Sequence, residues 1–174
     1  MLRHRTYLRE SADVDITFKV KILPFEKKLY GVMIRYLLRK LKVSGIKVVV
    51  RKKVMKRAAG YINLKDNHGK TFELFINANT SYRLAARYLA HEIVHIKQVV
   101  QGNLSKEGSS ILWKGRVVSD YRSYLTRDVH DSMPFEKEAK DGERIADSFW
   151  KSKDFKQAAK DDASIAFIFR IENS

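Results

Sequence analysis

The 174-residue chain contains no cysteine, so it has neither disulfide bonds nor a metal site built on thiolates. A bound metal ion would need His, Asp or Glu ligands. No run of 18 or more apolar residues occurs, and the first ten residues lack the apolar segment of a secretory signal. We therefore expect a soluble, cytoplasmic protein that does not interact with a membrane.

Acidic residues are missing from one long stretch of the chain. Between Glu26 and Asp66 there is no carboxylate but there are 13 Lys and Arg residues, and the whole chain has a net charge of +15. Such a field attracts polyanions and acidic protein surfaces. The basic region 27–65 therefore indicates a nucleic-acid or acidic partner, or else a solvated face that keeps the protein soluble.

The pattern of apolar residues predicts one α+β domain over residues 1–174, in which a small, mostly antiparallel sheet packs on helices. The expected elements in chain order are a strand over 14–22, a helix from Pro24 that Gly45 ends, a strand over 46–50, a hairpin over 60–77, a helix up to about Gln101, a long loop over 103–133, a helix over 134–150 and a last strand in "ASIAFIFRI". The second arm of the hairpin, 71–77, is expected at the edge of the sheet.

The stretch "YLAHEIVHIKQ", residues 88–98, carries the pattern HExxH. On a helix, His91 and His95 lie one turn apart on one face, where two imidazoles can bind one zinc ion at about 2.0–2.1 Å. Glu92 is rotated by about 100° from His91, so it can take a proton from a water in the open fourth position. The alternative is an amphipathic helix with two surface histidines.

A third protein ligand has to come from residues downstream of this helix. The carboxylates and imidazole available there are His130, Glu136, Glu138, Asp141 and Glu143. Glu136 and Glu138 differ by about 200° in helical bearing, so only one of the two can face the metal. The helical geometry does not choose between them.

Three segments, "LAHEIVHIKQ", "WKG" and "PFEKEAKDGE", together resemble the small HExxH metallopeptidases of phages and bacteria, which carry HExVHxxQ followed by ExEA on a later helix. Those proteins are similar in plan to gluzincins such as thermolysin and neprilysin, and they share some features with SprT-like proteins. The resemblance covers residues 61–150. It implies a zincin core there, with a zincin-like active-site helix, between a basic N-terminal part (1–60) and a C-terminal strand (151–174).

The resemblance also implies a ligand set. In gluzincins a glutamate from a downstream helix completes a His₂Glu site, and the glutamate three residues before the alanine of "EKEA" is Glu136, with Glu138 as the alternative. SprT-like proteins use a third histidine, which here would be His130. Gluzincins often place an acid four residues after the ligand to support a histidine, but this chain has Lys140 there.

Peptide hydrolysis also needs a donor for the oxyanion, and Tyr121, Tyr124 and His130 are available. The leading hypothesis is a zinc metallopeptidase acting on a protein or peptide substrate, with Glu92 as the base, in the host cytoplasm if a phage encodes it. The second is a basic nucleic-acid-binding protein whose HExxH site is structural or inactive.

Overall fold

The computed structural model describes residues 14–19, 22–56, 60–66, 68–124 and 126–172. Its strands are β1 (Val14–Phe18), β2 (Ile46–Lys53), β3 (Gly60–Leu64), β4 (Thr71–Asn77), β5 (Leu104–Glu107), β6 (Ser110–Trp113) and β7 (Arg116–Asp120). Its helices are α1 (Pro24–Lys40), α2 (Tyr82–Val100), α3 (Tyr121–Tyr124), α4 (Arg127–Ser132), α5 (Pro134–Gly142), α6 (Arg144–Phe149), α7 (Lys153–Asp161) and α8 (Ala163–Glu172). Residues 20 and 21 of the expected first strand lie outside the described residues.

The predicted α+β class is confirmed, with strands in two sheets. The small antiparallel sheet has the order β5-β6-β7, and the larger one has the order β1-β2-β4-β3. In the larger sheet β2 runs parallel to both β1 and β4, and only β3 pairs antiparallel with β4. The parallel pair β1–β2 forms because α1 supplies the crossover that such a pair requires.

The edge of the larger sheet differs from the prediction. The expected hairpin forms, but its second arm, β4, lies inside the sheet between β2 and β3. The first arm, β3, is one of the two edge strands, and β1 is the other. The prediction was wrong because the turn pattern indicates only that β3 and β4 pair with each other. It contains no information on the second pairing of β4, with β2.

One face of the larger sheet is covered by α1 and α2. Alternate residues of β2 and β4 point into this layer, and their exposed fractions are 4% or less; they are Ile46, Val48, Val50, Phe72, Leu74 and Ile76. Successive side chains of a strand point to opposite faces, so their neighbours lie on the other side of the sheet. There β2 presents Lys47, Arg51 and Lys53, all exposed.

The end of α1 comes earlier than predicted. Lys42 adopts a left-handed conformation (φ 56°), and the Val43 N–H donates to the Leu38 carbonyl at 2.9 Å. This pair forms a Schellman motif, which satisfies the last carbonyls of the helix. The prediction that Gly45 ends α1 was therefore wrong, and Gly45 (φ 70°) instead lies in the turn before β2.

Residues 103–133 were expected to be a long loop, but they contain β5, β6, β7, α3 and α4. Between β6 and β7, both Lys114 (φ 51°) and Gly115 (φ 75°) have positive φ, which is the backbone of a type I′ turn. The three strands have only four or five residues each, and only Ile111 and Leu112 among them are buried. Sequence periodicity is weak in such short, polar strands, which is why they were missed.

The C-terminal part is helical, so the predicted strand over 151–174 was wrong. "ASIAFIFRI" forms most of α8, in which Ile165 and Ile168 are buried three residues apart, as on one face of a helix. They join the main hydrophobic core together with Phe155 of α7. Packing of this face overrides the strand propensity of β-branched and aromatic residues.

The helix expected over 134–150 forms as two helices, α5 and α6, with a turn at Glu143 between them.

Among the described residues, no helix combines the length and the apolarity that crossing a bilayer requires.

Candidate metal centre

The HExxH residues lie in the middle of α2, a helix with defined ends. The Ser81 side chain accepts a hydrogen bond from the Leu84 N–H at 3.3 Å, which caps the first turn. At the other end Gly102 has φ 70°, and the Asn103 N–H donates to the Gln98 carbonyl at 2.8 Å. The end at Val100 agrees with the boundary expected at about Gln101, and the two histidines are held on a regular helix.

His91, His95 and Glu136 form a group that could hold a metal ion. Nε2 of His91 lies 3.2 Å from Oε2 of Glu136, and Nε2 of His95 lies 3.4 Å from the same oxygen. The two Nε2 atoms are 3.2 Å apart. Three ligand atoms from two distant segments of the chain therefore form a nearly equilateral triangle.

The size of this triangle fits a tetrahedral ion. Ligand atoms bound to zinc at about 2.0–2.1 Å in tetrahedral geometry are about 3.3 Å from each other. The three observed separations, 3.2, 3.2 and 3.4 Å, agree with that value. Two imidazole nitrogens and one carboxylate oxygen are also a donor set that zinc accepts, and they leave a fourth position open.

The docking of α5 determines which glutamate faces the histidines. Phe135 and Ala139 are buried, and Glu136 is 4% exposed beside them. Glu138 does not reach the histidines, since its side chain is 41% exposed, its carboxylate lies 3.7 Å from Lys97 Nζ and it accepts a hydrogen bond from Nε2 of Gln98 at 3.3 Å. Of the two glutamates, the structure therefore brings only Glu136 to the two histidines.

The second oxygen of Glu136 is held from the other side. The Tyr124 hydroxyl donates to Oε1 of Glu136, and Nε2 of His130 lies 3.2 Å from the same oxygen. The rings of Tyr124 and His130 are stacked, with their centroids 4.8 Å apart. His130 thus contacts the carboxylate without belonging to the ligand triangle, so it supports Glu136 and does not replace it.

The remaining ring nitrogen of His91 contacts a carboxylate. Oε1 of Glu143 lies 3.1 Å from Nδ1 of His91 and accepts a hydrogen bond from the Nδ1–H, which leaves the Nε2 lone pair directed at the triangle. Sequence reasoning considered Glu143 only as a metal ligand. The signal for its supporting role was its spacing, because seven residues after Glu136 correspond to about two helical turns.

His95 is oriented in the same way by a buried amide. Oε1 of Gln98 lies 2.8 Å from Nδ1 of His95, while Nε2 of Gln98 donates to the Phe135 carbonyl at 3.0 Å. Because the amide nitrogen is the donor to Phe135, its oxygen must be the acceptor, so His95 carries its proton on Nδ1. Gln98 therefore fixes the tautomer of His95 and ties α2 to α5.

The electrostatics of the group favour a positive charge within it. Burial alone would raise the pKa of the Glu136 carboxyl, but hydrogen bonds from His91, His95 and Tyr124 hold that pKa well below its ordinary value. Burial likewise lowers the pKa of His95, but the hydrogen bond and the charge of Glu136 outweigh it and raise that pKa. An ionised carboxylate is thus kept beside two imidazoles, as a cation site requires.

Glu92 lies next to the group but does not belong to it. Burial raises the pKa of the Glu92 carboxyl, although the nearby charges of His95 and His91 act in the opposite direction. The edge strand β3 passes close by, because a Cβ placed on Gly60 would lie 3.9 Å from Cγ of Glu92. Glu92 therefore lies between the histidines and the start of β3.

The other residues singled out from the sequence lie further from the group. Tyr121 is 44% exposed, and Lys106 Nζ lies 4.1 Å from the centre of its ring. Asp141 is exposed on α5 and does not belong to the ligand triangle. Of the two tyrosines considered as oxyanion donors, only Tyr124 contacts a residue of the group.

Comparisons of the chain with protein-family models, with curated proteins and with solved structures found no match. The case for its function therefore depends on the chemistry of its own residues.

Proposed function

We propose that this protein is a zinc-dependent metallopeptidase of the cytoplasm, similar in plan to the gluzincins. The observation that carries the proposal is the triangle of His91, His95 and Glu136, whose ligand atoms have the separations that tetrahedral zinc requires. Glu92, directly after the first histidine, supplies the carboxylate that hydrolysis needs beside such a site.

His91, His95 and Glu136 would hold the ion, and zinc, when bound, makes a water acidic and polarises the carbonyl that is to be cleaved. Glu92 then acts as the general base. It takes a proton from the attacking water and later gives it to the leaving amine. Glu143 and Gln98 keep the Nε2 atoms of the histidines available for this arrangement.

Tyr124 and His130 are the donors we propose for the developing oxyanion. Both contact Oε1 of Glu136, so both lie at the margin of the ligand triangle. Burial, followed by the hydrogen bond to Glu136, raises the pKa of Tyr124, which keeps its hydroxyl protonated as a donor. A hydrogen-bond donor at this place stabilises the negative charge that forms on the carbonyl oxygen.

The substrate is proposed to bind as an additional strand along β3. This strand is at the edge of the larger sheet, where backbone N–H and C=O groups remain available for pairing. Gly60 at its start lies close to Glu92. An extended peptide paired with β3 would therefore pass the general base.

Zinc content and cleavage of a fluorescently quenched casein test the proposal. We expect about one zinc per chain, and we expect Glu92→Gln to keep the zinc but to lose about 10²–10⁴-fold in cleavage rate. Asp141→Asn, a change of the same type on the exposed side of α5, should retain both properties. Purified protein without stoichiometric zinc, or a Glu92→Gln variant as active as the wild type, would refute the metallopeptidase.

A further inference from the structure

The second face of the larger sheet is not covered by any described element. Its side chains alternate with those that contact α1 and α2, and Lys47, Arg51 and Lys53 of β2 are exposed there. Such open faces are usually polar, but this one carries mainly positive charge. It therefore presents a flat basic surface on the side of the sheet opposite the helices.

A shallow groove of about 420 Å³ runs across this surface, between Lys19, Arg51, Lys53 and Lys65. Its only carboxylate among the described lining residues is Glu73, which pairs with both Arg51 and Lys65. Two cations thus share one carboxylate, and no described carboxylate lies within ion-pair distance of Lys19 or Lys53. The groove retains a net positive charge, which attracts phosphates.

The basic region 27–65 is thereby divided between two sides of the protein. The cations of α1 lie on the helical side, where Arg39 pairs with Asp154 of α7 and Lys28 lies 4.0 Å from Asp162. On β2, Lys47, Arg51 and Lys53 lie on the open side, whereas Lys52 pairs with Glu26 of α1. The open side therefore carries one part of the positive charge that the sequence predicted.

Two aromatic rings lie beside the groove. Tyr61 of β3 and Phe75 of β4 are stacked, with centroids 4.3 Å apart and an angle of 13° between the ring planes. Lys53 Nζ lies 5.4 Å from the centre of each ring. Because β3 is an edge strand, no described strand lies beyond Tyr61, and its second ring face is turned away from the sheet.

We propose that this open sheet face binds single-stranded nucleic acid. Lys19, Lys53 and their neighbours would contact the phosphates, and a base would stack on the outer face of Tyr61. Cations together with an accessible aromatic ring are the features by which proteins bind single strands. In a duplex the bases are already stacked on each other, so Tyr61 would add nothing to its binding.

Other occupants of the face fit less well. Residues 1–13 of the chain carry three arginines and two carboxylates, so they do not complement a positive surface. An acidic polypeptide would use the cations but not the aromatic stack. The combination of both features therefore favours nucleic acid.

Adjacent residues of β3 separate this surface from the metal centre. Gly60 approaches Glu92 on the helical side, whereas Tyr61 stacks on Phe75 on the open side. Binding of nucleic acid does not use the ligand triangle or Glu92, so Glu92→Gln should bind nucleic acid as tightly as the wild type.

Fluorescence anisotropy of the full chain with a labelled 20-nucleotide oligo(dT) tests the proposal. We expect Lys19→Gln combined with Lys53→Gln to weaken binding at least tenfold and to reduce the slope of log K against log salt by about 1.4, since each neutralised phosphate contributes about 0.7 for single strands. Lys156→Gln combined with Lys160→Gln removes the same charge from the exposed side of α7 and should change neither value.

The aromatic contribution has a separate test. Tyr61→Leu should weaken binding about fivefold or more, whereas Tyr61→Trp should bind within about twofold of the wild type. Absence of binding by the wild type would overturn the proposal, and so would equal losses in the two lysine pairs. Tighter binding of a duplex of the same length, or equally effective competition by polyglutamate, would also overturn it.

Discussion

Glu143 accepts a hydrogen bond from Nδ1 of His91 at 3.1 Å, across the interface between α2 and the turn that follows α5. A carboxylate in this position orients the imidazole and makes its other nitrogen a better ligand. We expect Glu143→Ala to weaken zinc binding by about 10–100-fold without preventing folding. Competition with a chelating dye of known affinity measures this change.

Asp141→Ala is the matched control for Glu143. It removes a carboxylate from the same helical segment, but Asp141 is exposed and does not belong to the ligand triangle. Its zinc affinity should remain within about twofold of the wild type, because exposed charges interact weakly through solvent. Equal losses in the two variants would contradict the supporting role of Glu143.

Tyr124→Phe separates two roles of the same hydroxyl group. If Tyr124 stabilises the oxyanion, the zinc-saturated variant should lose about 10²-fold in kcat with little change in KM. Tyr121→Phe is the control, because Tyr121 is 44% exposed on the same short helix. A variant whose zinc affinity falls while its zinc-saturated kcat is unchanged would show that Tyr124 only holds Glu136.

Gly142 allows α5 to approach α2 closely. A Cβ at this position would lie 2.4 Å from Cγ2 of Val94, which is buried and cannot move aside cheaply. We expect Gly142→Ala to lower the free energy of unfolding by about 1–3 kcal/mol, as overpacking does, measured by urea denaturation. The gain in helix propensity, about 1 kcal/mol, would offset only part of this cost.

Gly31→Ala is the corresponding control in α1. The closest atom to its added Cβ, at 3.3 Å, is Nη1 of Arg35, the end of a flexible side chain. This variant should therefore be as stable as the wild type or more stable by up to about 1 kcal/mol. Destabilisation of both variants by the same amount would contradict the steric argument for Gly142.

Local patterns predicted α2 and its two histidines, because the information lies within one helix. The apolar residues have helical spacing, Ser81 caps the start, Gly102 ends it, and His91 and His95 are one turn apart whatever the rest of the fold does. The hairpin of β3 and β4 was also predictable from its turn. These features need no knowledge of distant contacts.

The choice between Glu136 and Glu138 was not predictable from periodicity, because the bearing of α5 is set by tertiary docking. Burial of Phe135 and Ala139 turns Glu136 towards the histidines. The helical C-terminus was missed for a related reason, since the environment of Ile165 in the core depends on α1 and α7. Local patterns therefore predicted the two histidines, whereas tertiary packing determined which glutamate lies beside them.

Glu73 gives the open sheet face a pH-dependent contribution to stability. The hydrogen bond from Arg51 lowers the pKa of the Glu73 carboxyl, burial opposes this, and Lys65 lowers the pKa further. A carboxyl whose pKa is lower in the folded state stabilises the fold above its unfolded pKa, about 4.3, and this stabilisation is lost as the pH falls through the folded pKa. Glu73→Gln should therefore lower the free energy of unfolding by about 0.5–1 kcal/mol at pH 7, and the difference from the wild type should shrink at pH 3.

Urea denaturation at the two pH values measures both differences. Asp15→Asn, which removes an exposed partner of Lys47, is the control and should have a smaller effect. A difference that stays the same at both pH values would mean that the ionised carboxylate of Glu73 does not stabilise the sheet.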